Sequence, residues 1–330
     1  MICAKQVFRC FRWLERMGDK FTGAAGPVFV FLAVVLLTLG ALCFFVVVQP
    51  SLAWPWLSTP VCVLLAVNTF VHYYYVCTIP PGFVTDSPHP PRSGLLWAKK
   101  REPSRRAGVR WTETTITKAS VTRCGRCGEM RPERSHHCRI CNRCVLKYDH
   151  HCPVRVNQCV GLHNERHFVL FLVYMVIASF CFAALGWRHV LSALGWYDEY
   201  WPYLIPPTIF LLLYILATVM CFAVCIMAAW HIWSISCGET SVESQDHEQY
   251  RKMARGRGEA FVNSYDLGRR KNLELFFNVG QDSYPLYTLI FPLRVEPYTD
   301  GYSWARKAGY ERHRGIRQGE ELTDEDDDED

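Results

Sequence analysis

Four consecutive residues, Asp149-His150-His151-Cys152, set a carboxylate, two imidazoles and a thiol side by side. A thiolate is both a nucleophile and a metal ligand. A neighbouring imidazole can take its proton, and a carboxylate can orient that imidazole and stabilise its cation. The tetrad lies in residues 124–159, which hold seven of the chain's 16 Cys together with His136, His137, His150 and His151. Cys124-x2-Cys127 and the run Cys138-x2-Cys141-x2-Cys144 have the spacing that lets two thiolates face one Zn2+. Tetrahedral structural sites take four ligands each. Eleven Cys and His stand in this stretch, so two such sites leave some spare. A spare Cys beside a spare His and an Asp is what nucleophilic chemistry requires.

The elements that position this cluster follow from where charge is missing. The 330 residues are 50% hydrophobic and 14% aromatic, too rich for a disordered chain. Mean hydropathy is near zero, at +0.01, but the charges are unevenly placed. Residues 21–85, 167–187 and 200–238 contain no Asp, Glu, Lys or Arg. A bilayer core takes about 20 apolar residues per helix. The first stretch holds two spans, predicted at 28–48 and 57–77. The others hold one each, at 168–187 and 205–230, with Trp and Tyr at their ends as in an interfacial belt. Lys and Arg number five in residues 1–27, 17 in 78–166 and 13 in 231–330, against one in 188–204 and none in 50–56. Both termini and the long middle loop are therefore expected in the cytosol. The first span reads as a signal anchor rather than a cleaved signal peptide, because its charged lead is long and its apolar run is full length. Cytosolic thiols stay reduced, so the loop Cys are expected to be metal ligands or reactive groups rather than disulfides.

Asp149-His150-His151-Cys152 in this Cys/His pattern, between the second and third of four spans, resembles the DHHC protein S-acyltransferases, or palmitoyltransferases. Pro80-Pro81-Gly82 stands where that family has Asp-Pro-Gly. Thr240-Ser241-Val242-Glu243 is similar to its Thr-Thr-x-Glu, and Asn263–Gly280 to its C-terminal segment. The resemblance implies an α-helical polytopic membrane protein: four transmembrane helices with a cytosolic zinc-binding cysteine-rich domain between the second and third. It implies two interleaved structural zinc sites, one of Cys124, Cys127, His137 and Cys144, the other of Cys138, Cys141, His151 and Cys159. It implies that Cys152 is the nucleophile, with His150 as base and Asp149 orienting it. Acyl-CoA, expected to be palmitoyl-CoA, is the implied co-substrate, and the acyl group goes to Cys of membrane-associated protein substrates. The departure lies after Cys152. The family has Cys-Pro-Trp and five residues before the last Cys; here six residues separate Cys152 from Cys159 and the Trp is missing. A harmless bulge, a misread exon edge and a weakened member each account for it. The runner-up function is accordingly a catalytically impaired zinc-finger membrane adaptor that binds partners.

The expected organisation is a cytosolic N-terminus (1–27), spans one and two (28–77), a mostly irregular linker (78–118), the zinc domain (119–166), spans three and four (167–230), a cytosolic C-terminal segment (231–300) and a disordered tail (301–330) ending in seven acids. Ser179, Phe180 and Phe182 are candidates to line an acyl chain. Arg143, Lys147, Arg155 and Arg166 are candidates for CoA phosphates. Asn164 is expected to position the loop, Thr240–Glu243 to brace the zinc unit, and 263–280 to give a short helix packed on the spans. Cys3 and Cys10 are juxtamembrane candidates for acylation. A nucleic-acid partner is excluded for the basic linker, which lies beside a bilayer, and no charged residue inside a span suggests a transporter. Endoplasmic reticulum or Golgi is the expected membrane.

Overall fold

The structure is a computed structural model and describes residues 2–86, 94–101, 114–152, 156–197, 200–280 and 283–317. Four helices carry the long apolar runs: α1 (Ile2–Cys43), α2 (Pro55–Thr78), α3 (Glu165–Ala193) and α4 (Pro207–Ser236). Helix α1 passes through one wider turn, Phe44–Val48, and a tight one, Gln49–Ser51, where Pro50 ends it. The four apolar stretches, Ala25–Ser51, Pro55–Thr78, Glu165–Ala193 and Pro207–Ser236, are 24 to 30 residues long. At about 1.5 Å per residue each is long enough to cross a bilayer. At most 39% of any apolar window is buried inside the protein, so most of this apolar surface faces outward, as lipid contact requires. The chain is thus built as a multi-pass membrane protein.

Two of the helices outrun the predicted spans. Helix α3 starts at Glu165 and ends at Ala193, beyond 168–187, and α4 runs to Ser236 rather than 230. Gly238, at φ +74, then turns the chain where a Cβ would strike the Tyr265 carbonyl. The segment expected as a separate N-terminus is also continuous helix from Ile2, because no proline precedes Pro27. Side chains of Cys3 and Cys10 lie outside the described residues.

Between α2 and α3 the chain makes short strands with almost no core. These are β1 (Thr114–Lys118), β2 (Val121–Arg123), β3 (Met130–Pro132), β4 (His136–Cys138), β5 (Arg143–Val145), β6 (His150–Cys152) and β7 (Gln158–Val160). β2–β3, β4–β5 and β6–β7 are three successive antiparallel hairpins. Gly161 follows the last one. A Cβ there would lie 2.8 Å from Val145 and 2.9 Å from the Leu146 carbonyl, so only glycine lets the hairpins close on each other. Pro81 and Gly82 supply backbone acceptors to His163 and Leu146, which ties the end of α2 to the same unit.

After α4 come α5 (Ser241–Gly256), α6 (Arg269–Phe277) and a last strand, β8 (Ser303–Lys307). β8 pairs antiparallel with β1, from Thr114↔Lys307 to Lys118↔Ser303. This corrects two expectations. Residues 114–118 are not irregular linker, and the disordered tail does not begin at 301. The β8 residues Trp304, Ala305 and Arg306 are buried, and Trp304 packs with Leu146, Leu162 and Tyr265. A strand with a buried aromatic and a paired edge has reason to order. The acid run 324–330, residues 87–93 and residues 102–113 lie outside the described residues.

Candidate functional site

The hairpins bring the eight implied ligands into two sets of four. Cys124, Cys127, His137 and Cys144 put their Sγ and ring nitrogens within 4.8 Å of one another, and so do Cys138, Cys141, His151 and Cys159. In the first set Cys127 and Cys144 Sγ are 3.5 Å apart and Cys144 Sγ is 3.8 Å from His137 Nδ1. In the second, Cys141 and Cys159 Sγ are 3.4 Å apart, and His151 Nδ1 lies 3.4 to 3.6 Å from all three sulfurs. Tetrahedral zinc, with Zn–S of about 2.3 Å and Zn–N of about 2.0 Å, sets ligand atoms roughly 3.6–3.8 Å apart. A disulfide would bring sulfurs to about 2.05 Å. The donors therefore fit zinc and not disulfides. His136 and His150 are left out of both sets.

His150 instead lies between Asp149 and Cys152. Its Nδ1 donates to Asp149 Oδ2 at 2.6 Å, and the same ring is hydrogen-bonded to Cys152. The other carboxylate oxygen of Asp149 accepts the Ser241 amide at 2.7 Å. Burial alone would raise the Asp149 carboxyl, but the His150 hydrogen bond and charge and the Ser241 amide hold it down at about 2. Burial likewise opposes charge on His150, yet its bonds to Asp149 and Cys152 raise it to about 9. The arrangement favours a thiolate beside an imidazolium.

The longer Cys152–Cys159 spacing leaves the β6–β7 pairing in register. Cys152 pairs across the hairpin with Gln158 and His151 with Cys159, so the ladder is intact up to Cys152. Asn157 adopts φ +53, and its side chain presses on α1 at Gly26, where no Cβ would fit. Gln158 donates to the carbonyls of Val76 and Ile79 at the end of α2. Residues 153–155, with Arg155, lie outside the described residues.

Cys152 packs on an apolar cluster with Tyr73, Phe171 and Val224. These three also line a cavity of about 430 Å3 among the four membrane helices. Ser179 and Phe182 line it as expected. Phe180 does not: it is 61% exposed, because one residue turns a helix by 100° and 179 and 182 share a face. Two of the basic candidates are also already committed. Lys147 is buried on Glu165, and Arg166 is buried while donating to the carbonyls of Phe277, Thr288 and Leu293. Arg143 is half-exposed and pairs with Asp86 at 2.7 Å.

The bracing residues behave as expected. Asn164 accepts from Gly161 N and donates to the Cys159 carbonyl. Thr240 and Glu243 form a capping box at the start of α5, which presents the Ser241 amide to Asp149. Asn272 on α6 donates to the Ser236 carbonyl, and Leu273, Phe276 and Phe277 pack against the membrane core. Two contributors were missed. Arg134, at φ +64, makes a two-pronged buried ion pair with Glu243 and lies over the rings of Tyr265 and Trp304. His231 on α4 approaches Asp149 Oδ2 to 3.8 Å. Its sequence signal was a lone His one residue past a predicted span.

Known proteins carry the same pattern. The family described as DHHC palmitoyltransferase matches residues 118–248. Palmitoyltransferase ZDHHC16A of Danio rerio is 25% identical over 338 residues, covering 87% of this chain and 80% of that protein. Palmitoyltransferase ZDHHC16 of Mus musculus is 29% identical over 302 residues, 84% of this chain and 74% of its own. The probable protein S-acyltransferase 15 of Arabidopsis thaliana is 32% identical over 171 residues, 49% of this chain and 62% of its own. Residues 118–248, which hold both Cys3His sets and the Asp149–His150–Cys152 chain, thus form a DHHC palmitoyltransferase domain, and through most of its length the chain is similar to palmitoyltransferases.

Proposed function

We propose that the protein acylates cytosolic Cys of membrane-associated proteins in two steps through an acyl-enzyme on Cys152. In the first step the Cys152 thiolate attacks the thioester carbonyl of an acyl-CoA. The new S–C bond forms, the carbonyl–S(CoA) bond breaks, and His150 passes its proton to the departing CoA thiolate. In the second step neutral His150 takes the proton of the substrate thiol. That thiolate attacks the Cys152 thioester and frees Cys152. Asp149 keeps the His150 Nδ1–H in place and stabilises the cation, and the Ser241 amide holds Asp149. The zinc ions, held by the two Cys3His sets, act as structural staples with all four positions filled.

One observation carries this reading. Cys152 is hydrogen-bonded to a carboxylate-backed imidazole and packs against an apolar cluster, part of which lines a cavity within the spans. A thiol against the cluster that borders such a cavity suits a substrate with a thioester head and a long alkyl tail, since each buried CH2 contributes about 0.8 kcal/mol. The loop charge bias supports a cytosolic side for this face and both termini, where acyl-CoA and reduced thiols are present. The unbroken β6–β7 ladder favours the enzyme over the inactive adaptor. The test is incubation of purified protein with labelled palmitoyl-CoA. Stoichiometric release of CoA with hydroxylamine-sensitive label, both lost in His150→Ala, is expected; zinc-loaded wild-type protein that releases no CoA would leave the adaptor reading.

A further inference from the structure

Asp149, His150 and His231 bring ring nitrogens and a carboxylate oxygen within 4.8 Å of one another. Nothing in the two-step chemistry above uses His231. It comes from the end of α4 and is buried. Its Nδ1 stands 3.8 Å from Asp149 Oδ2, and its ring lies 5.7 Å from that of His150, tilted by 39°. Phe168 meets both rings edge-on, at 5.0 Å and 5.2 Å, and is itself fully buried. Beside Asp149 and His231 is a small chamber of about 50 Å3, lined also by Lys147, Glu165 and Thr240. It has room for a water that would bridge the gap from Nδ1 to the carboxylate.

Two imidazoles and a carboxylate also have the composition of a metal site. The geometry argues otherwise. Asp149 Oδ2 and His150 Nδ1 are 2.6 Å apart, the length of a charge-assisted hydrogen bond. Two ligands on one zinc, with bonds of about 2.0 Å, would stand roughly 3.3 Å apart.

We propose that His231 is a positioning residue, which fixes the Asp149 carboxylate and the His150 ring in the orientation that serves Cys152. The inference rests on the roles given above to Asp149, His150 and Cys152. The Asp149 carboxylate has Ser241 on one oxygen, and His150 and His231 on the other. His150 is walled by Phe168 and His231. Removal of the His231 nitrogen leaves the carboxylate free to rotate about its remaining contacts, and a misplacement of well under an ångström at a reacting group slows the step.

The test uses full-length, zinc-loaded protein in detergent and the single-turnover rate of Cys152 acylation by palmitoyl-CoA. His231→Phe keeps the ring packing and removes the nitrogen. His231→Asn returns an N–H donor near the same place. Each is measured alone and with Asp149→Asn. His231→Phe is expected to slow acylation about tenfold at unchanged KM, and His231→Asn to recover to within about threefold. With Asp149→Asn present, His231→Phe should add nothing, because the lost effect runs through the carboxylate. Three results would overturn the proposal: His231→Phe at wild-type rate, the same slowing in both Asp149 backgrounds, or a third zinc per chain that His231→Phe removes. If His231→Phe loses structural zinc, His231→Gln takes its place in the same cycle. Wild-type acylation in both Asp149→Asn and His150→Ala would refute the base assignment itself. Large losses in those two with no effect at His231 would refute only the positioning role.

Discussion

The zinc-ligand hairpins and the membrane bundle solve the problem of holding a shape in opposite ways. The bundle buries Tyr73, Phe168, Leu172, Val224 and their neighbours in continuous clusters, and its outward face is apolar as well. The hairpins are strands of three residues around little more than Cys138, Val145 and Cys159. So small a unit has too little apolar burial to order itself, and its two Cys3His sets fit the metal that would staple it. Cysteine changes meaning with the region. In the hairpins six are grouped as ligands, while Cys43 and Cys181 in the bundle serve as small apolar groups. Cys152 sits at the junction, in a hairpin strand by sequence and against the bundle by packing. Cys152 thus stands where the hairpins meet the bundle, against an apolar cluster that shares residues with the cavity lining.

The largest break in this comparison is metal removal. Structural zinc is worth about 10–16 kcal/mol to small metal-dependent folds. Cys138→Ser should lower bound zinc by about half and abolish acylation, while the helical signal in far-UV circular dichroism stays near wild type. A collapse of helicity along with zinc would mean that the two regions are not separately held.

Next in size is the carboxylate. Asp149→Asn should slow Cys152 acylation by about 10^2–10^3-fold. Its pH signature is specific. The His150 cation is raised from its ordinary 6.5 to about 9, so the stabilisation it lends is full below 6.5 and is lost as pH rises through 9. Without Asp149 the cation is lost at lower pH. The deficit in Cys152 alkylation by iodoacetamide should therefore be widest between pH 6.5 and 9 and close above it. A deficit independent of pH would contradict the pairing.

Arg134→Ala strips the partner from a buried carboxylate and should cost about 3–5 kcal/mol, read as a lower thermal midpoint with zinc still bound. Burial alone would raise Glu243, but Arg134 holds it at about 2, against an ordinary 4.5. Its contribution is full above 4.5 and is lost as pH falls toward 2. Glu243→Gln should accordingly flatten that part of the acid limb, and an unchanged limb would argue against the pair.

The smallest expected effect tests the cavity. Ser179→Phe fills lining space, and exclusion of two methylenes is worth about 1.6 kcal/mol, roughly a fifteenfold shift from palmitoyl-CoA toward myristoyl-CoA. Phe180→Ala, on the outward face, should leave chain preference unchanged. Equal effects from both would mean that the cavity does not hold the tail.

The spans were legible because absence of charge over 21 or more residues has few physical explanations. The two ligand sets were legible by resemblance, since spacing alone does not tell His137 from His136 or His151 from His150. What escaped depends on distant chain. β8 is five residues long and its partner β1 lies about 190 positions earlier, a pairing no local pattern announces. Lys147 and Arg166 read as free cations because their partners, Glu165 and the 277–293 carbonyls, come from other elements or turn inward. Phe180 was chosen with Ser179 and Phe182 because the cavity-facing side of α3 is set by α1, α2 and α4, not by α3 itself. Arg134 looked like one more surface charge until Glu243, 109 residues on, closed over it.

The central claim is that Cys152 carries the acyl group. Purified wild-type protein and Cys152→Ala, each with two zinc ions bound, are incubated with palmitoyl-CoA and digested for peptide mass analysis. One hydroxylamine-labile palmitoyl group is expected on the wild-type peptide containing Cys152 and none on the variant. Equal acyl incorporation into Cys152→Ala, at another cysteine and with CoA release at the wild-type rate, would contradict it.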